Sequence, residues 1–263
     1  MEQRPAGRVT MSKDRRDIVP GYHAVREALL KSLPTVESLW VVPGRRSGRI
    51  EEIRLLAGQR GIPIVEVRAS ELDRLAPGVV HQGVALSVGE FTYTPLEDLI
   101  EEPAAGCESR LILALDHITD EGNFGAIIRT AAFFGVEAIV IPRDRSVRVT
   151  PSVLKRSSGA HFLVPVSRVV NLSRGLDLLK RAGFWIMGAA GESTISLYDF
   201  DWTVPVVLLL GNERKGLGVA VRKRCDGLVS IPGTGGVESL NVSVAAGVLL
   251  AEITRQRRAK ELL

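Results

Sequence analysis

Short runs of apolar residues alternate along the second half of the chain with segments whose apolar residues recur at helical spacing. The predicted strands are 111–115, 138–141, 162–166, 184–187, 206–210 and 228–231. The predicted helices are 124–134, 151–158, 172–181 and 242–260, with a short one after Gly216. Unbroken apolar strands separated by helices are typical of a parallel sheet covered on both faces, so this half is predicted to have an α/β fold.

A smaller α/β unit is predicted ahead of it. Its strands are expected near 39–42, 63–67 and 84–88, and its helices at 25–30, 49–60 and 70–75, the last capped by Ser70. The charged first residues have no apolar core, and the segment before residue 109 is rich in proline and acidic side chains. The predicted organisation is a disordered leader at 1–17, a small domain at 18–92, a linker at 93–108 and a larger domain at 109–263.

The composition narrows the classes of protein. The chain has 263 residues, 45% hydrophobic and 24% charged, which excludes a wholly disordered protein. No apolar run approaches the roughly 20 residues of a membrane span. With 34 basic and 30 acidic residues the net charge is +4, which permits a polyanionic partner such as RNA. Cys107 and Cys225 are too few for a disulfide framework or a four-cysteine zinc site, so we expect reduced thiols and a cytoplasmic location.

Metal chemistry is not indicated. The four histidines, His23, His81, His117 and His161, have no metal-ligand spacing, so no metal is predicted.

The first of three informative loops is 116–129, which follows a predicted strand and opens a helix. Asn123 is predicted to cap that helix, and Gly125 to allow a close approach of another backbone. Arg129 lies among apolar residues, where its charge needs a partner. In one interpretation, Arg129 extends to the surface or forms a structural ion pair. In the other, its guanidinium binds a phosphate or another oxyanion in a cleft.

The second loop, 211–218, follows the most apolar strand. Its two glycines are spaced as in a phosphate-binding P-loop, but Leu217 and Gly218 stand where that loop needs lysine and then serine or threonine. A nucleotide-hydrolysing P-loop is therefore excluded. Glu213 belongs either to a solvated charged turn or to the mouth of a site near a helix N-terminus.

The third loop, 231–243, is rich in glycine and leads into the last helix. Its glycines suggest backbone groups exposed to a ligand. Ser239 or Asn241 is expected to cap the helix.

Together these loops resemble the SpoU (TrmH) family of RNA 2′-O-ribose methyltransferases. Asn123, Gly125 and Arg129 match the family's N-x-G-x-x-x-R motif, and Gly211, Asn212, Glu213 and Gly216 match its second motif. The segment 239–243 reads S-L-N-V-S, as in the third motif. Ahead of them, 21–25 and 81–84 are similar to the L30e-like extension of the branch that acts on ribosomal RNA.

The resemblance implies a fold, a cofactor and partners. The larger domain is expected to contain a deep trefoil knot that binds S-adenosylmethionine, and the protein to be a homodimer whose last helix lies in the interface. The methyl acceptor is expected to be a guanosine ribose of 23S rRNA or a ribosomal precursor. A tRNA ribose methyltransferase, or a non-catalytic RNA-binding ribosome-assembly protein of the same fold, are the alternatives.

The resemblance also implies roles for individual residues. The implied catalytic residues are Asn123, Arg129, Glu213, Ser239 and Asn241. The implied cofactor-binding residues are Gly191, Gly211, Ile231 and Leu240. From its charge alone, the basic stretch after the second strand of the larger domain is expected to contact RNA phosphates, through Arg143, Arg145, Arg148, Lys155 and Arg156.

Overall fold

The computed structural model describes residues 17–30, 36–44, 48–76, 80–89, 91–101, 109–213, 215–237 and 239–260, apart from the side chains of Asp17, Glu101, Pro151 and Lys155. The predicted leader, except for its last residue, and Cys107 lie outside these ranges.

The first part of the chain forms a mixed four-stranded sheet in the order β1-β4-β2-β3. Strand β4 is antiparallel to β1 and β2, and β3 is parallel to β2. The strands are β1 Asp17–Pro20, β2 Val36–Val41, β3 Ile64–Glu66 and β4 Val84–Val88. The helices are α1 Tyr22–Leu30, α2 Gly48–Gln59 and α3 Ala69–Leu75, and α4 Leu96–Glu101 follows the sheet.

The second part forms a six-stranded, all-parallel sheet in the order β10-β8-β9-β5-β6-β7. Its strands are β5 Leu111–Leu115, β6 Ala138–Pro142, β7 Val166–Val169, β8 Trp185–Ala189, β9 Val206–Leu210 and β10 Gly227–Val229. Its α-helices are α5 Glu121–Phe133, α6 Pro151–Arg156, α7 Leu172–Arg181, α8 Val219–Arg222 and α9 Val242–Ala259. The predicted α/β class with a parallel second sheet is confirmed; the knot stays a prediction.

Both faces of the parallel sheet are buried, as the unbroken apolar strands require. In β5, Leu113 and Leu115 pack on the side of α5 and α9, whereas Ile112 and Ala114 pack on the side of α7. Successive side chains of a strand point to opposite faces, so a strand with two covered faces cannot alternate with polar residues.

Four local predictions were wrong. Strand β1 was missed, and its first residue was placed in the leader. The predicted strand 162–166 is instead a short 3-10 helix at Ala160–Phe162 followed by β7. Helix α3 begins before Ser70, with Arg68 at its N-cap. Asn123 does not cap α5, because Asp120 is the N-cap and its carboxylate accepts the Asn123 backbone N–H at 2.7 Å.

The buried side chain of Arg257 joins the end of α9 to the beginnings of two strands. Its guanidinium donates hydrogen bonds to the carbonyl oxygens of Ser109 (2.7 Å) and Arg110 (3.1 Å), just before β5. It also donates to those of Trp202 (3.0 Å) and Val204 (3.2 Å), just before β9. An arginine is rarely buried, and here carbonyl acceptors replace the water that its charge would otherwise need.

Cys225 is a free thiol that packs under β8, next to Gly188. Burial raises its pKa to about 11. The thiol is therefore protonated at neutral pH and is a poor nucleophile.

No helix in the described ranges is long and apolar enough to cross a membrane.

Candidate active site at the carboxyl edge of the parallel sheet

The strand order creates a natural place for a ligand site. From the central strand β5 the chain adds β6 and β7 on one side, then crosses to build β8, β9 and β10 on the other. The direction of building therefore reverses between β5 and β9, whose last residues, Leu115 and Leu210, are paired. Ligands of open α/β sheets bind outside the carboxyl ends of strands at such a switch point.

The loops that leave β5 and β9 are joined by hydrogen bonds across this point. The buried carboxylate of Asp116 accepts the backbone N–H of Gly218 at 2.7 Å. The Asp116 backbone N–H donates to the Leu210 carbonyl at 2.8 Å, and Asn212 Nδ2 donates to the His117 carbonyl at 2.9 Å. These bonds fix the position of each loop relative to the other.

His117 has a left-handed backbone, with φ of 58°, which is costly for a residue other than glycine or asparagine. Its imidazole Nδ1 is in a short contact with Asp116 Oδ1. Neither Asp116 nor His117 was among the residues predicted for the site. The sequence did contain an indication of its role, because Asp116 directly follows a fully apolar strand. A carboxylate at that position is either buried or located at the carboxyl edge of the sheet, where ligands bind.

Three separate segments of the chain meet at the side chain of Asn123. Its Nδ2 donates to Glu213 Oε1 at 2.8 Å, and its Oδ1 accepts a hydrogen bond from Asn241 Nδ2 at 3.0 Å. Asn241 also caps α9, since its Oδ1 accepts the Ser243 N–H at 2.9 Å. The first turn of α5, the loop after β9 and the start of α9 are therefore held at one point.

Two glycines of these motifs are required by packing. A Cβ at Gly125 would lie 2.5 Å from Cβ of Arg156, so glycine lets α6 lie close to α5. A Cβ at Gly211 would lie 2.3 Å from the carbonyl carbon of Gly216, where the loop folds back on itself. The close backbone approach predicted at Gly125 is present, but its partner is a helix of this chain.

Arg129 does not join the cluster around Asn123 in the single chain. It lies six residues further along α5, about 240° around the helix axis. Its side chain is exposed, makes no hydrogen bond or ion pair with any described residue, and lines a cavity of about 510 Å³ with Phe133, Ser158 and Leu163 among others. The structure thus brings Asn123, Glu213 and Asn241 together and leaves Arg129 apart. Ser239 is exposed in the loop just before Asn241.

The four residues predicted to bind the cofactor lie on loops that leave three neighbouring strands. Gly191 follows β8 and Gly211 follows β9, whereas Ile231 and Leu240 lie on the loop after β10. Because β10, β8 and β9 are adjacent and parallel, these loops emerge at one edge. The loop after β10 exposes Val237 and Leu240, the latter 49% exposed, together with the backbone of Gly233, Gly235 and Gly236. Apolar side chains beside free backbone amides suit a ligand with an aromatic base and a carboxylate.

The basic residues predicted to bind RNA have separate locations. Arg143, Arg145 and Arg148 are exposed on the loop after β6. Arg156 is exposed at the end of α6, where its guanidinium lies beside Gly122 at the start of α5. The side chain of Lys155 lies outside the described part of the structure.

Within the described residues, no group of three or more His, Cys, Asp or Glu side chains is placed to hold a metal ion.

Comparison with known proteins identifies both parts of the chain. Residues 110–251 match the profile of the SpoU rRNA Methylase family, and residues 18–94 match that described as RNA 2′-O ribose methyltransferase substrate binding. A protein of Mycolicibacterium vanbaalenii described as an uncharacterized tRNA/rRNA methyltransferase is 41% identical over 247 residues, which cover 94% of this chain and 78% of the relative. The 23S rRNA (guanosine-2′-O-)-methyltransferase RlmB of Pseudomonas syringae pv. tomato is also 41% identical over 247 residues, covering 91% of this chain and 96% of the relative.

A solved structure shares the fold over nearly the whole length. The AdoMet-bound rRNA methyltransferase from Sinorhizobium meliloti superposes with a TM-score of 0.78 at 26% identity, covering 93% of this chain and 88% of that one.

Removing the Asp116 carboxylate is expected to release the loop after β9 from the loop after β5. Asp116→Ala removes the hydrogen bond from the Gly218 N–H to a buried, charged acceptor and should lower the free energy of unfolding by about 2 kcal/mol. Urea denaturation measures this loss, and hydrogen exchange should show faster exchange of the Gly218 amide. Asp144→Ala, which removes an exposed carboxylate after β6, is the control and should change neither. Equal stability of the two variants would contradict the proposed role of Asp116.

Proposed function

The chain belongs to the SpoU rRNA methylase family and is an S-adenosylmethionine-dependent RNA 2′-O-methyltransferase, and we propose that its acceptor is a guanosine ribose of 23S rRNA. The observation that carries this choice is the relative from Pseudomonas syringae, whose name states that reaction and which matches both parts of the chain. The alternative is a tRNA ribose, since the Mycolicibacterium vanbaalenii relative is described by both RNA classes.

Asn123, Glu213 and Asn241 are proposed to position the ribose. The bound cofactor supplies a methyl group on a sulfonium, already a good leaving group, so alignment of the 2′-oxygen is the protein's main contribution. In this cluster the Asn123 amide is hydrogen-bonded to the Glu213 carboxylate through Oε1 and to the Asn241 amide. The second carboxylate oxygen, Glu213 Oε2, is the proposed acceptor of a hydrogen bond from the ribose. Ser239, two residues before Asn241, is proposed to contact the same sugar.

Arg129 is proposed to stabilise negative charge on the 2′-oxygen and to hold the adjacent phosphate. A general-base role does not suit it, because a guanidinium is effectively never deprotonated in a protein. In the single chain Arg129 lies on another side of α5 from Asn123. We infer that it acts in the site of a second copy, which makes the active unit a homodimer.

The surface around Arg129 supports such an interface. Phe133, on the same helix, is 82% exposed, and Val244 on α9 is 52% exposed. Not every apolar residue of α9, the helix expected in the interface, is available for it, because Leu249 and Leu250 are fully buried in the core of their own chain. Only the exposed residues of α9 remain for contact with another copy.

The cofactor is proposed to bind at the edge formed by the loops after β8, β9 and β10. Gly191, Gly211, Ile231 and Leu240 lie on those loops, and Leu240 precedes the Asn241 that contacts Asn123. A donor bound there is next to the proposed ribose site. Methyl transfer needs no metal in this scheme, since the sulfonium itself activates the group.

The first test is transfer of the methyl group. The protein, labelled S-adenosylmethionine and unmodified 23S rRNA transcript are expected to give one labelled ribose, mapped by primer extension, at a guanosine. Arg129→Ala should abolish transfer while calorimetry shows nearly unchanged S-adenosylmethionine binding. Methyl label in tRNA with none in 23S rRNA would show that the substrate is tRNA and would contradict the proposed substrate. Binding of RNA without any transfer would favour the non-catalytic alternative, and full activity of Arg129→Ala would overturn its role.

Mixing two inactive variants tests whether the site is shared. Arg129→Ala and Glu213→Gln are each expected to be inactive, but a mixed dimer has one site with both residues intact if Arg129 comes from the other subunit. Co-expressed variants should then recover about a quarter of wild-type activity when they assemble at random. No recovery in a purified mixed dimer, or a monomer by sedimentation equilibrium, would contradict the shared site.

The exposed basic loop after β6 is proposed to bind phosphates near the site. The double variant Arg145→Glu and Arg148→Glu should weaken binding of 23S rRNA transcript at least tenfold and reduce its dependence on salt. Filter binding between about 50 and 200 mM salt measures both effects. Unchanged affinity would show that this loop is an ordinary solvated surface.

A further inference from the structure

A cavity in the first part of the chain lies outside the site proposed for methyl transfer. Its volume is about 640 Å³, within the range of small-molecule sites, and the residues that line it include Tyr22, Arg49, Glu52, Gln82 and Val84. The cavity lies between the start of α1, the start of α2 and the turn before β4. The start of α1 and the turn before β4 belong to the two segments, 21–25 and 81–84, that resemble the extension of the family's ribosomal RNA branch.

The backbone around the cavity is held in a fixed shape. Gly21, Gln82 and Gly83 all have left-handed φ angles, of 98°, 54° and 83°. The left-handed backbone of Gln82 is strained, because residues other than glycine rarely adopt it, and such strain is kept only where the surrounding structure enforces it. The Gly83 N–H donates to His81 Nδ1 at 3.0 Å, and the Tyr22 N–H donates to Gln82 Oε1 at 3.2 Å. These contacts fix the turn that forms one wall of the cavity.

Tyr22 and Arg49 together form a platform at the cavity. The Arg49 guanidinium carbon lies 5.2 Å from the centroid of the Tyr22 ring, so the ring supports the cation on one face. The Tyr22 hydroxyl donates to Glu52 Oε2 at 2.5 Å, and this hydrogen bond raises the pKa of Tyr22. The ring is thus fixed at its hydroxyl end, while the side chain of Arg49 remains exposed to solvent.

The charges at the cavity favour a polyanion. Arg26 Nε donates to Glu52 Oε1 at 2.7 Å, so Glu52, the only carboxylate among the described residues that line the cavity, is already paired with a cation and a phenol. Arg49 forms no ion pair with any described residue, so its positive charge is not neutralised within the described part of the lining. Beside it, Gln82 Nε2 makes no hydrogen bond with any described residue and is available to the edge of a base.

We propose that this cavity binds an unpaired nucleobase of the substrate RNA, stacked on the Arg49 guanidinium, which Tyr22 supports from behind. Proteins read single-stranded RNA by stacking splayed-out bases on aromatic rings and on arginine planes. A planar base fits this platform better than a phosphate alone, because a phosphate needs the positive charge but neither the ring nor the flat face. The inference rests on the proposed function for its RNA, and it assigns a specific contact to the first domain.

Variants that separate the flat face from the charge test the proposal. Arg49→Lys keeps the charge but removes the planar group, and Tyr22→Leu removes the supporting ring. Each is expected to weaken filter binding of unmodified 23S rRNA transcript about tenfold and to raise the KM for RNA equally. The value of kcat and the affinity for S-adenosylmethionine should not change.

A matched control accompanies them. Arg54→Lys makes the same change on the same helix outside the cavity and should bind RNA within about twofold of wild type. Wild-type affinity of Arg49→Lys together with weak binding of Arg49→Gln would show a phosphate contact only and overturn the base site. Unchanged affinity in all the variants would also overturn it. Arg49 is exposed, so its variants remain informative if Tyr22→Leu fails to fold.

Failure of this inference differs from failure of the proposed function. A wild-type protein that does not methylate 23S rRNA contradicts the function, whatever the variants do. Unchanged binding in the variants, with normal transfer by wild type, contradicts only the base site.

Discussion

The arrangement of the candidate active site depends on two hydrogen bonds of the Asn123 side-chain amide, one donated by its nitrogen and one accepted by its oxygen. One end donates to Glu213, which is 90 residues away in the chain, and the other accepts from Asn241, 118 residues away. A shorter side chain would reach neither partner, and a carboxylate would face Glu213 with a like charge. An amide is the group that satisfies a carboxylate acceptor and an amide donor at once.

Around that contact, the fold supplies position and the loops supply chemistry. The parallel sheet brings the ends of β5 and β9 together, Asp116 fixes the two loops to one another, and glycine at 125 lets α6 approach α5. These contacts lie at the reversal of strand order. The first part of the chain adds a cavity in which an exposed arginine lies over a tyrosine ring, and this is the group that we propose as a contact for the RNA.

The larger sheet was predictable because its strands are buried on both faces and read as continuous apolar runs. Strand β1 was not, because its four residues include a terminal proline and too few apolar positions to show a period. The cap of α5 was misplaced by three residues because both Asp120 and Asn123 are good capping residues, and the sequence alone does not say which one has an extended backbone. The meeting of Asn123, Glu213 and Asn241 followed from the rule for parallel sheets, whereas the separate location of Arg129 depends on its angle around α5. Asp116 was passed over because a single carboxylate after a strand has no distinctive spacing.

Arg257 has a consequence for how the protein is made. The carbonyl groups that it binds belong partly to residues 109 and 110, about 148 positions earlier, and the helix that carries it also begins with Asn241. Contacts so distant in the chain form late, after the loop between them has closed. In a chain still emerging from the ribosome, the contact of Asn241 with Asn123 and the hydrogen bonds of Arg257 can form only once α9 has been translated. A chain that stops before α9 therefore lacks one of the three residues that meet at the candidate active site.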